Sequence, residues 1–108
     1  MAIAQVTIVP IGTGSTSLSD YVADLCRVLE TEAGAAGSGV RYELTAMSTI
    51  IEGELDAILR IVRQMHESPF SHGAQRVSTS ITIDDRRDRA GSIAQKVASV
   101  EEKLRGVD

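Results

Sequence analysis

Apolar and polar residues alternate from residue 2 to residue 9. Ala4, Val6 and Ile8 share one side and Gln5 and Thr7 the other, which predicts a half-buried strand ended by Pro10 and Gly12. A helical stripe follows: Leu18, Val22, Leu25 and Leu29, flanked by Tyr21 and Val28, with Ser17 as N-cap and Asp20 in the first turn. The run "GAAGSG", Gly34 to Gly39, ends that helix. Val40, Tyr42 and Leu44 then alternate against Arg41, Glu43 and Thr45, and Thr49 to Glu52 is rich in β-branched residues. The two segments read as a hairpin around Ala46 to Ser48. Gly53 opens a second helix with the stripe Leu55, Ile58, Leu59, Val62 and Met65. Pro69 is expected to end it, because the residue before a proline avoids the helical region. "RVSTSITID", Arg76 to Asp84, predicts a fourth strand, with Val77, Ile81 and Ile83 opposite Ser78, Ser80 and Thr82. A last helix carries Ile93, Val97, Val100 and Leu104, with Ser92 as cap.

This order, βαββαβ plus a C-terminal helix, predicts an α+β fold. It is a ferredoxin-like antiparallel sheet with helices on one face, in a single domain over residues 1–108. The other face is expected to carry Gln5, Thr7, Glu43 or Thr45, and the row Ser78, Ser80 and Thr82. Such a face either meets water or packs on another subunit. A small domain buries limited surface alone and its edge strands need cover, so an oligomer is expected.

Composition narrows the function classes. A net charge of −4 gives no basic footprint for nucleic acid or an anionic membrane. The aromatics are Tyr21, Tyr42 and Phe70, too few for a base-stacking platform. The single cysteine, Cys26, excludes an intramolecular disulfide and fits a reducing compartment; its apolar neighbours predict a buried, inert thiol. No apolar run approaches the roughly 20 residues that span a bilayer. The N-terminus reads as a strand rather than a signal peptide, and the cytoplasm is the expected location.

Motifs with chemistry are few. "GTGSTS", Gly12 to Ser17, lacks the lysine of a P-loop and the third glycine of G-x-G-x-x-G. It is either a capped strand-to-helix loop or, through its surplus hydroxyls, one lip of a ligand pocket. Met47 suits packing at a hairpin tip, and Glu52 suits either the electrostatics of a helix start or a ligand. His66 and His72 lie six apart, unlike the i, i+4 pair that aims two imidazoles at one metal, so no metal site is expected. No nucleophile is spaced against a base, and no enzyme is expected. "DDRRDR", Asp84 to Arg89, is either a solvated turn or a salt network between subunits.

The blocks "PIGTGSTSLSDYV", "YELTAMSTIIEG", "RVSTSITIDDRRD" and "KVASVEEKL" resemble, in order and from Ile3 to Leu104, the small thiamine-binding proteins of the MTH1187/YkoF-like, or UPF0045, group. The resemblance implies a ferredoxin-like domain that assembles through its sheets into a homodimer or homotetramer. It implies non-catalytic binding of thiamine or its hydroxymethylpyrimidine half, in thiamine metabolism or salvage, with no other cofactor and no nucleic-acid or membrane partner. By position, Gly12, Thr13 and Ser17 fall in the group's loop motif, and Tyr42, Met47, Thr49 and Glu52 in its hairpin motif. These are the candidate ligand residues. Asp84, Asp85, Arg86 and Arg87 fall in its acidic-basic motif and are the candidate interface residues. The alternative reading is an oligomeric regulatory or assembly module that senses a different small metabolite.

Overall fold

Small and β-branched residues at every second position keep residues 2–10 extended. In the computed structural model they form β1 (Ala2–Pro10), followed by α1 (Ser19–Glu32), β2 (Arg41–Leu44), β3 (Thr49–Gly53), α2 (Leu55–Ser71), β4 (Val77–Asp85) and α3 (Ile93–Leu104). The structure describes all residues except 13, 15–18, 35–36, 89–92 and 107–108, and of 19 and 93–95 the backbone alone. The expected caps Ser17 and Ser92, and Leu18 of the first stripe, lie outside the described residues. The sheet order is β2-β3-β1-β4 with every neighbouring pair antiparallel, which is the ferredoxin-like arrangement.

Register decides which side each residue takes. Ala4 opposes Ile51 and Ile83, and Val6 opposes Thr49 and Ile81, so these residues share the face covered by the helices. Ala2, Ala4, Val6 and Ile51 pack there against Leu25 and Leu29 of α1 and Ile58, Ile61, Val62 and Met65 of α2. Gln5 opposes Ile50 and Thr82, Ile50 opposes Glu43, Thr7 opposes Ser80, and Val9 opposes Ser78. The hydroxyl-rich face therefore has the membership that alternation predicts, with Ile3, Val9 and Ile50 set among the polar residues.

Several details differ from the sequence reading. Val22 is 40% exposed, because α1 buries Leu25, Leu29 and the following Ala33. In α2 the buried arc is Ile58, Ile61, Val62, Met65 and Pro69, and Leu59 is 42% exposed. The helix touches both α1 and the sheet, so its buried arc is set by two neighbours at once. Ile81 and Ile83 of β4 lie on the helix face yet stay about two-fifths exposed. Cys26 is half-buried rather than enclosed.

Pro69 does not stop α2. In the last turn a proline forfeits one N–H donor, and its ring is buried in the core. Beyond it, the Pro69 carbonyl accepts from the His72 and Ala74 N–H groups, each at 3.0 Å, and closes the helix. The hairpin between β2 and β3 is held by Thr45. Its hydroxyl oxygen accepts from the Ser48 N–H at 3.1 Å and donates to the Ser48 carbonyl at 2.9 Å, a side-chain turn the sequence reading missed. Gly53 ends β3 where a Cβ would stand 3.1 Å from both the Gly39 carbonyl oxygen and Val40 Cγ2. Gly53→Ala is therefore expected to cost about 1–3 kcal/mol by overpacking, measured as a lower urea midpoint.

Candidate functional site: a cleft between the sheet and the C-terminal helix

Strand β3 carries two candidate residues three positions apart, an odd spacing that sends them to opposite faces. Thr49 opposes Val6 and Leu44, is 6% exposed, and faces the helices. Glu52 opposes Ile3 and Arg41 and faces away from α1 and α2. It is nevertheless also only 6% exposed. A buried carboxylate on the nominally open face is the most unusual feature of that surface.

Glu52 lines an open, shallow cleft of about 550 Å³, with Arg41, Tyr42, Glu43, Val97, Ala98 and Glu101 around it. Strands β2 and β3 supply one wall and α3 the other. An ion pair between Lys96 and Asp84 fastens the start of α3 to β4. The cleft gathers three carboxylates and one guanidinium. That set favours a cation or a ring bearing amino groups over an anion. The carboxylates accept hydrogen bonds and offer countercharge.

The other candidates lie elsewhere. Gly12 follows the end of β1 that pairs with Val77, and Met47 sits 83% exposed at the hairpin tip. Both belong with Thr49 to the opposite end of the sheet from Glu52. Tyr42 borders the same cleft as Glu52 but opposes Ile51 in the register, so its ring takes the helix-covered face with Thr49; Gly12 and Met47 lie toward the other end of the sheet. Thr13 and Ser17 lie outside the described residues. Arg41, Glu43 and Glu101 were not singled out in the sequence. Arg41 follows from the hairpin register once that is known, whereas nothing local marks Glu101 on its solvent-facing helix.

Asp84, Asp85, Arg86 and Arg87 are all exposed, at the same end as Glu52. Arg86 holds Asp88 with a fork, Nη2 to Oδ2 at 2.9 Å, and Arg87 holds Asp85 at 2.8 Å. The Arg87 hydrogen bond keeps the Asp85 carboxyl below the usual aspartate value, against a smaller opposing effect of desolvation. A depressed carboxyl contributes stability above its unfolded value and loses it as pH falls through the lower folded value, so this pair opens only in acid, below the ordinary aspartate range. In Arg87→Met the Asp85 midpoint, followed by carboxyl carbon NMR, is expected to rise.

The histidines are engaged in the fold. His66 Nδ1 meets the Thr79 hydroxyl at 2.6 Å and its ring packs edge-on to Phe70. His72 sets Nε2 3.0 Å from Asp24 and Nδ1 3.0 Å from the Ser68 carbonyl, joining α1 to the end of α2. Among the described residues no cluster of three or more His, Cys, Asp or Glu side chains could hold a metal, and no helix is long and apolar enough to cross a membrane.

Comparison with known proteins bears on the whole chain. It is 48% identical to the UPF0045 protein YqgV of Bacillus subtilis over 96% of this chain and 98% of that one. It is 42% identical to a UPF0045 protein of Methanothermobacter thermautotrophicus over 96% of this chain and all of that one. The crystal structure of protein MJ1052 from Methanocaldococcus jannaschii has the same fold, with a TM-score of 0.76 at 33% identity, covering 94% of this chain and 96% of that one. The family model described as "Thiamine-binding protein" matches residues 4–101, from the first strand into α3. The chain belongs to the thiamine-binding protein family.

Proposed function

We propose that this protein binds thiamine or its hydroxymethylpyrimidine half without transforming it, within thiamine metabolism or salvage, and that it does so as a homodimer or homotetramer. The observation that carries the reading is the family match over residues 4–101. The cleft supports it chemically. The aminopyrimidine presents an amino donor beside ring nitrogens, which suits the Glu52 carboxylate. The thiazolium carries a positive charge, which suits Glu43 and Glu101. Both described histidine rings are committed to structural contacts, which supports binding without catalysis. Gly12, Met47 and Thr49 are proposed to shape the opposite end of the sheet, while Thr13 and Ser17 of the same loop motif lie outside the described residues. The exposed turn of Asp84, Asp85, Arg86 and Arg87 is proposed to meet a second copy.

Titration calorimetry of the purified protein with thiamine and with hydroxymethylpyrimidine tests this. Binding heat with at least one is expected, with a rise in thermal midpoint, since a ligand at 100 times its Kd adds about 2.7 kcal/mol. No heat and no thermal shift with either at millimolar concentration would sink the proposal. A stable oligomer indifferent to both compounds would favour a module that senses another metabolite.

A further inference from the structure

We propose that the groove between α1 and α2 docks an acidic, partly apolar segment of a partner protein. The groove holds about 500 Å³ between Val28 of α1 and Arg60, Arg63, Gln64 and Ser68 of α2, and no strand residue lines it. It therefore lies apart from the cleft beside Glu52, which β2, β3 and α3 enclose.

The floor of the groove is apolar. Val28 is half-buried against the core, and the arginine stems add methylene groups. The rim is cationic. Arg60 and Arg63 are exposed one turn apart, and among the described residues neither has a carboxylate within ion-pair distance. Asp24 of α1 cannot serve them, because Arg27 and His72 already share it, His72 Nε2 at 3.0 Å. Glu67 lines the groove one turn beyond Arg63 and forms no ion pair with it. Two uncompensated guanidiniums thus stand over an apolar floor on a chain of net charge −4. Their match is a pair of carboxylates flanking an apolar side chain. Arginine forks grip carboxylates in a defined geometry and recur at the energetic centres of interfaces, and an amphipathic segment in a groove is a standard mode of recognition.

Other occupants fit less well. A small anion wants converging backbone N–H groups, and along the middle of α2 those groups bond within the helix. The far end of the groove, at Ser71 and His72, meets the C-terminus of α2, where the helix dipole disfavours an anion. An anionic membrane calls for about 4–8 clustered basic residues, more than this rim supplies.

The inference does not depend on thiamine binding. The probe is a synthetic peptide of leucines and glutamates at amphipathic helical spacing. Its controls are the same peptide with lysine for glutamate, polyglutamate, inorganic phosphate and anionic vesicles. Titrated into the isotope-labelled full chain, the acidic peptide is expected to shift the NMR amide signals of Val28, Gln64 and Ser68, and the lysine peptide to leave them in place. Arg60→Glu with Arg63→Glu should weaken the acidic peptide at least about tenfold and admit the lysine peptide. Thermal midpoint and thiamine heat should stay at their wild-type values, because both positions are exposed and outside the cleft. Arg60→Lys with Arg63→Lys keeps the charge, loses the fork, and should lie between. No binding at millimolar acidic peptide, or shifts around Arg86 and Arg87 in place of the groove, would overturn the proposal. Polyglutamate or phosphate binding as tightly as the peptide would overturn it in favour of a small-anion site. Groove shifts with vesicles alone would reassign it to a lipid surface. Failure of thiamine to bind would leave the docking site standing.

Discussion

Ile58→Ala is expected to destabilise the protein by about 2–5 kcal/mol, as deletion of a fully buried aliphatic side chain does through lost transfer energy and the cavity left behind. Ile58 is 0% exposed and packs in the cluster that joins α2 to α1 and to the strands. Its chain neighbour Leu59 is 42% exposed, so Leu59→Ala should cost less than about 1 kcal/mol. For a domain of this size the difference is a fall in thermal midpoint of roughly 10 °C or more for the first variant and a few degrees for the second. Differential scanning calorimetry of both checks the rotation of α2. Equal losses would mean that the arc centred on Leu55, Leu59 and Val62 is buried after all.

Glu52→Gln is expected to weaken thiamine binding ten- to a hundredfold. The substitution keeps the side chain's shape and removes its charge, and a hydrogen bond to a charged group contributes about 1.5–3 kcal/mol. Tyr42→Leu should leave affinity nearly unchanged, because Tyr42 opposes Ile51 and its ring takes the helix-covered face, away from Glu52. Thr49→Val serves as the contrast. Thr49 faces the helices, and affinity should hold even if stability changes. Calorimetry on the three variants locates the site. Loss of binding with Thr49→Val and none with Glu52→Gln would move it from the cleft to the helix side of the sheet.

Both predictions turn on positions that local pattern could not place. The stripe through Leu55, Ile58, Leu59, Val62 and Met65 is a sound helical period, but a period has no preferred origin until neighbours are present. Contact with α1 as well as the sheet rotates the buried arc toward Ile61. Pro69 reads as a stop by its own chemistry. Its position in the last turn and its burial made the lost hydrogen bond tolerable. In the candidate site, Tyr42, Thr49 and Glu52 fall within one sequence motif, yet alternation divides them between faces and Glu101 joins from a distant helix. Motif membership follows the chain, whereas a cleft collects whatever the fold brings near.

The sequence by itself determined the order of elements, the antiparallel α+β class, the family, and which residues share a strand face. Each of these follows from short-range periodicity or from long blocks of identity. Only the tertiary structure decided which arc of α2 is buried, why a carboxylate on the outer sheet face is covered, and that α3 forms the second wall of the cleft. Those outcomes depend on bringing together segments 40 or more residues apart, such as Glu52 and the α3 residues that border one cleft. No local preference of the chain encodes a distance of that kind.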